Sequence, residues 1–142
     1  MTQAEIESRR RLSTAGLRAT RPRLTVLAGL RRYKHVSVEN LTEYVRLELG
    51  SVSIQAVYDV LAALSQAGLV RRIEPAGFPA RYEDRVGDNH HHLICRQCDA
   101  IVDVDCVAGY AACLTPDDDH GFAVDEAEIN FWGTCPRCAS TP

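Results

Sequence analysis

Two cysteine pairs, Cys95-Arg96-Gln97-Cys98 and Cys135-Pro136-Arg137-Cys138, carry the plainest chemistry in this chain. A two-residue spacing lets both thiolates of a pair turn onto one ion, so the two pairs offer four sulfurs in a closed tetrahedral set. Zn²⁺ at about 2.3 Å from each thiolate is the expected occupant. The intervening residues 99–134 are too many for a simple zinc ribbon, so the metal is expected to clamp the two ends of a small folded domain. A redox-active CxxC, or cysteines buried as small apolar residues, are the other uses of such spacing. Two independent pairs in one chain favour the four-sulfur metal site.

Immediately before the first pair runs His90-His91-His92. On a strand, residues two apart share a face, so His90 and His92 can grip one ion while His91 points the other way. The carboxylates of Glu83, Asp84, Asp88 and Asp103 are close in sequence. Imidazoles with carboxylates make a nitrogen/oxygen site suited to Fe²⁺, Mn²⁺ or Zn²⁺, unlike the all-sulfur site. His35 stands far upstream, where a ligand could tie the two halves of the chain together; taken alone, it reads as a solvated loop histidine. Cys106 and Cys113 are left over. They read as small, partly buried residues, with a disulfide between them as the alternative.

The chain has 142 residues, 46% hydrophobic and 25% charged, an ordinary globular composition. Residues 1–81 carry thirteen basic and seven acidic side chains, whereas residues 82–142 carry three and twelve. A basic first half suits a polyanion, and an acidic second half rich in Cys and His suits cations. No run approaches a membrane span and residues 1–11 hold no apolar stretch, so a cytoplasmic protein without membrane contact is expected. In that setting six cysteines favour metal over structural disulfides.

Four helices are predicted before residue 70. The first covers about 2–14. The second opens at Thr20 with Pro22 in its first turn, the third opens at Ser37 and stops at Gly50, and the fourth runs from Ser53 to the stop at Ala67-Gly68. A strand over 69–74, a turn at 75–79 and a returning strand over 80–83 follow. Helices followed by a β-hairpin form a winged helix-turn-helix pattern, and the fourth helix is the one that would enter a DNA major groove. Its non-core face offers Ser53, Gln55, Ala56, Tyr58 and Asp59. Past a polar hinge at 85–89, strands are expected at 91–95, 100–105 and 128–132, with a helix over 107–114. The predicted class is α+β: a winged-helix domain over 1–84, the hinge, and a small α/β dimerisation domain over 90–142 with a four-cysteine zinc site.

These residues resemble the ferric uptake regulator family of metal-dependent bacterial repressors, from about Gly16 to Cys138. The resemblance rests on Gly16-Leu17-Arg18-Ala19-Thr20-Arg21-Pro22-Arg23, Ala56-Val57-Tyr58, Arg81-Tyr82-Glu83, the stretch from His90 to Cys98, and the Cys135/Cys138 pair. Gly87-Asp88-Asn89 before the histidines and Trp132-Gly133-Thr134-Cys135-Pro136 look most like the actinobacterial branch that represses catalase-peroxidase genes in response to peroxide. The resemblance implies structural zinc at Cys95, Cys98, Cys135 and Cys138. It implies a regulatory Fe²⁺ or Mn²⁺ site at His35, Glu83, His90, His92 and Asp103. It further implies base contact by Tyr58, minor-groove contact by Arg18, and a homodimer on a palindromic, A/T-rich operator in double-stranded DNA. Arg21, Arg23, Ser53 and Gln55 are expected to add phosphate and base contacts.

Aligning on Arg81-Tyr82 selects Glu83 as the carboxylate ligand, while counting back from Cys95 selects Asp84, and the sequence leaves both open. His91 and His120 are candidates for a third metal site. Peroxide sensing at the iron site is the expected signal, with an iron-responsive repressor of iron uptake as the alternative. A thiol–disulfide oxidoreductase using Cys135 and Cys138 is the distant rival. It lacks the strand–CxxC–helix context and leaves the basic half without a task, so no enzyme is expected.

Overall fold

A computed structural model describes residues 1–88, 90–106, 116–124 and 127–140. The helix expected over 107–114, Cys113 and the hinge residue Asn89 lie outside the described residues. The chain divides into two compact units, Met1–Val86 and Gly87–Pro142.

The first unit holds four helices, α1 (Gln3–Thr14), α2 (Arg21–Tyr33), α3 (Val38–Leu49) and α4 (Ile54–Gln66). Each begins on a hydroxyl cap. Thr2, Thr20, Ser37 and Ser53 accept from the backbone N–H of Glu5, Arg23, Asn40 and Ala56, three residues on. Each cap satisfies a donor that the helix start would leave bare, worth about 1 kcal/mol. Gly50 closes α3 at φ +85°, a conformation that penalises a side chain. The helices bury one apolar cluster that includes Leu12, Leu27, Leu30, Leu41, Leu61 and Leu64. Gly29 sits mid-helix in α2 because a Cβ there would lie 2.7 Å from Leu41 Cδ1 and 2.8 Å from Tyr44 Cδ1. The close approach of α2 and α3 requires the missing side chain.

Strands β1 (Arg71–Ile73) and β2 (Arg81–Glu83) form the antiparallel wing, with Arg71 opposite Glu83. Both are shorter than the sequence suggests. Leu69 N–H is spent on Leu64 O at 2.9 Å, finishing α4 before the strand can start. A bridge between Val36 and Tyr82 ties the α2–α3 loop to β2. Arg81 Nη1 adds a hydrogen bond to His35 O at 3.3 Å.

The second unit is built on β3 (His90–Cys95), flanked by β4 (Ile101–Asp105) and β5 (Asn130–Gly133) in the order β4-β3-β5. β4 runs antiparallel to β3, with His92 opposite Asp103 and Leu93 opposite Val102. β5 runs parallel, with Leu93 opposite Phe131. Period-2 alternation therefore gives the sheet two unlike faces. His90, His92 and Asp103 share one; Leu93, Val102 and Phe131 share the other, and these three apolar side chains are exposed. A short helix α5 (Pro136–Ala139) follows, with Cys135 at its N-cap and Pro136 in its first turn. Among the described residues no single helix is long and apolar enough to cross a membrane.

Candidate metal centres

The four paired cysteines converge from three elements. Cys95 ends β3, Cys98 lies in the turn to β4, Cys135 caps α5 and Cys138 sits within it. Their sulfurs lie within 4.8 Å of one another, and Cys98 Sγ is 3.7 Å from Cys135 Sγ. A tetrahedron with metal–sulfur arms of about 2.3 Å has edges of about 3.8 Å, so the spacing fits Zn²⁺ without rearrangement. The Cys135 N–H donates to Cys95 Sγ at 3.3 Å. That bond is the main reason the Cys95 thiol is lowered to about 6. The Ala100 N–H lowers Cys98. Cys138 is pushed up to about 12, chiefly by its hydrogen bond with Cys135 and then by burial and the remaining sulfurs. Four sulfurs this close cannot all ionise unaided, and a dication removes the conflict.

On the other half of β3, the side chains of His90 and His92 are buried and project toward Asp103. His92 Nε2 lies 3.3 Å from Asp103 Oδ1, and His90 Nε2 lies 3.6 Å from the same oxygen. The two rings stand edge to face with centroids 5.0 Å apart. His90 Nδ1 is 2.8 Å from Asp88 Oδ1. Two imidazole nitrogens beside one carboxylate oxygen are a donor set that suits Fe²⁺, Mn²⁺ or Zn²⁺.

In the first unit, His35 Nε2 lies 3.1 Å from Glu83 Oε2, with the side chains only 7% and 2% exposed. Asp84, the alternative ligand, turns to the helical side: its Oδ2 is 3.7 Å from Arg11 Nη1. Arg11 also donates to Leu69 O at 3.0 Å, so this group pins α1 to the wing. His91 lies on the face of β3 opposite His90 and His92, yet it is buried as well. His120 is exposed on a turn, 3.5 Å from Asp118. Among the described residues, no set of three or more potential ligands whose donor atoms all lie within 4.8 Å of one another includes His90, His91 or His120. Cys106 follows β4 directly, and its candidate partner Cys113 lies outside the described residues.

The residues expected to meet DNA belong to the first unit. Tyr58 and Gln55 are exposed on α4, where Gln55 Nε2 donates to Asp59 Oδ1 at 2.9 Å. Ile54, also exposed, precedes Tyr58 by one turn and adds an apolar surface absent from the residues expected to meet DNA. Its spacing from Val57, Leu61 and Leu64 places it on the same helical stripe, so the sequence alone reads it as core and gives no signal for an exposed position. Ser53 Oγ serves as the cap of α4. Arg18 and Arg21 are exposed, whereas Arg23 Nη1 donates to Arg18 O at 2.9 Å and braces the turn before α2.

Residues 14–131 match the family described as the ferric uptake regulator family. The transcriptional regulator FurA of Mycobacterium tuberculosis is 56% identical over 128 residues, spanning 90% of this chain and 87% of that protein. Among solved structures, the ferric uptake regulator of Vibrio cholerae aligns at 25% identity with a TM-score of 0.65, covering 89% of this chain and 98% of that one. A zinc uptake regulator complexed with zinc and DNA aligns at 20% identity with a TM-score of 0.70, covering 98% and 97%. The relatives are transcriptional regulators and not enzymes, so the thiol–disulfide oxidoreductase is set aside.

Proposed function

The chain belongs to the ferric uptake regulator family, and we propose that it is a cytoplasmic, homodimeric DNA-binding repressor that senses peroxide through Fe²⁺ held jointly by its two units. One observation carries this reading. Each unit contains a buried imidazole–carboxylate pair, His35 with Glu83 in one and His92 with Asp103 in the other, and neither pair alone completes a metal site. A divalent ion taking His35, Glu83, His90, His92 and Asp103 together favours one arrangement of the units over all others. Glu83 is the carboxylate of this set, and Asp84 stays with Arg11. The four-cysteine site takes Zn²⁺, closed and redox-silent, and holds the second unit.

In a dimer the favoured arrangement sets the spacing of two α4 helices against palindromic half-sites. The exposed apolar face of Leu93, Val102 and Phe131 supports dimerisation through the sheet, since a second copy covers it with its own equivalent residues. Tyr58 and Ile54 suit thymine methyls, and Gln55 suits adenine. Arg18 and Arg21 add salt-dependent phosphate and minor-groove affinity on an A/T-rich site, with Arg23 contributing mainly through the turn it braces.

Fe²⁺ held there would supply the redox chemistry that splits the O–O bond of peroxide. The chain's part is to hold imidazole carbons beside the ion: one peroxide oxygen is inserted into a ring C–H bond of His35, His90 or His92, the ring gives up two electrons, and the other oxygen leaves as water. An oxidised ring is a poor ligand, the units part, and DNA is released. Catalase-peroxidase and oxidative-stress genes are the targets this chemistry suits.

The test is peptide mass spectrometry of the zinc-containing protein loaded with Fe²⁺ and given limiting hydrogen peroxide. The expected result is a single-oxygen gain on one of the three histidines, absent with Mn²⁺ and matched by release from DNA. Unmodified histidines with retained DNA binding would make the protein an iron-level sensor. Unmodified histidines with a Cys106–Cys113 disulfide would move the switch to sulfur.

A further inference from the structure

Asp88 stands two residues before His90 and belongs to neither metal set. Gly87 precedes it at φ +78°, a left-handed turn that leads the chain into β3. Asp88 Oδ1 lies 2.8 Å from His90 Nδ1, and the His90 side chain is 1% exposed while that of Asp88 is 44% exposed. A carboxylate can only accept at this distance, so the imidazole proton sits on Nδ1. In the neutral ring Nε2 then keeps its lone pair, and Nε2 is the atom on the Asp103 side, 3.6 Å from Asp103 Oδ1.

We propose that Asp88 is a positioning residue for the regulatory metal. By holding the His90 proton on Nδ1 it commits Nε2 as the ligand atom and fixes the ring plane before any ion arrives. A ligating histidine whose second nitrogen is bound to a carboxylate is a stronger, better oriented donor than one bound to water. Loss of such a partner typically weakens metal affinity about ten- to a hundredfold. Because Asp88 is partly in solvent, it does this without being desolvated itself and without joining the coordination shell.

This inference rests on the reading of His90 as a regulatory ligand, and the experiment separates the two. Mn²⁺ affinity is measured by chelator competition on the full-length, zinc-containing protein, for wild type, Asp88→Ala, Asp88→Asn and His90→Ala. Asp88→Ala is expected to bind about ten- to a hundredfold more weakly. Asp88→Asn, which keeps an acceptor oxygen but no charge, is expected to recover most of that loss. The visible Co²⁺ spectrum at saturation should match wild type in both variants, since no ligand is removed. Wild-type affinity in Asp88→Ala overturns the proposal. So does an Asn variant as weak as the Ala variant, which would reduce Asp88 to a nearby charge, and so does an altered Co²⁺ spectrum, which would make it a direct ligand. Wild-type affinity in His90→Ala would instead remove the regulatory site as read, and the inference with it.

Discussion

In the proposed reading, the two ends of β3 serve metals in opposite ways. Its last residue, Cys95, joins three other thiols of the same compact unit, all with sulfurs within 4.8 Å. Its first half carries His90 and His92, whose companions in the proposed site, His35 and Glu83, belong to the other unit. A centre contained in one unit can stabilise that unit but has no second arrangement to choose between. A centre whose donors are divided gains affinity only in the arrangement that unites them, and by linkage it favours that arrangement by the same free energy. On the proposed reading, the sulfur set is soft and whole and the nitrogen/oxygen set is hard and divided, so donor chemistry and division of labour would follow the same line.

The sharpest way to break this contrast is Cys98→Ser. Structural zinc contributes on the order of 10 kcal/mol or more in small metal-dependent domains, so the variant is expected to lose zinc, the folded second unit and the dimer. Elemental analysis with sedimentation checks it, and a stable zinc-free dimer would end the assignment. Zinc uptake by the metal-free protein should also release protons at neutral pH. The Cys138 thiol, up at about 12, is still protonated there and must give up its proton to bind. Acidification therefore weakens the site, and titration in two buffers of different protonation enthalpy reads the proton count.

His90→Ala should leave zinc and fold intact while abolishing metal-dependent operator binding, with a loss of Mn²⁺ affinity at least as large as that of removing an outer-shell partner, about ten- to a hundredfold. Unchanged operator affinity would dissolve the contrast from its other side. Glu83→Gln and Asp84→Asn sharpen it within one dipeptide. The first is expected to behave like His90→Ala. The second should cost well under about 1 kcal/mol of stability, because its partially exposed pairing with Arg11 is long at 3.7 Å. Equal metal loss in both would reopen the choice of ligand. Tyr58→Ala should weaken operator binding by about 1–3 kcal/mol with little change on random DNA. Arg18→Ala should lower the salt dependence by about one counterion on any sequence, the smallest of these effects.

Local chemistry makes the helices legible. Thr20, Ser37 and Ser53 cap because their hydroxyls reach a backbone donor three residues on, and Gly50 stops α3 because it tolerates positive φ. Spacing alone makes the four-cysteine set legible, since CxxC geometry is short-range. Long-range pairing is not. Nothing near Asp84 in sequence announces Arg11, 73 residues away, so Glu83 and Asp84 are equivalent in the sequence and distinct only in the fold. The Val36–Tyr82 bridge, which ties the loop bearing His35 to the strand bearing Glu83, is hidden for the same reason. The parallel pairing of β5 with β3 depends on a crossover rather than a turn, and alternation in a four-residue strand cannot specify its partner. Helix α5 is absent from the predicted elements, although Pro136 directly after Cys135 is a first-turn signal.

The parallel pairing of β3 with β5 also sets an order of events in synthesis. The helices and wing of the first unit precede His90 in the chain, so they emerge from the ribosome before it does. The β3–β4 hairpin can then close locally, but it remains an open-edged pair until β5 arrives from far downstream. Cys135 and Cys138 come last of all. The nascent chain therefore displays its imidazole strand before β5 is available to pair with it.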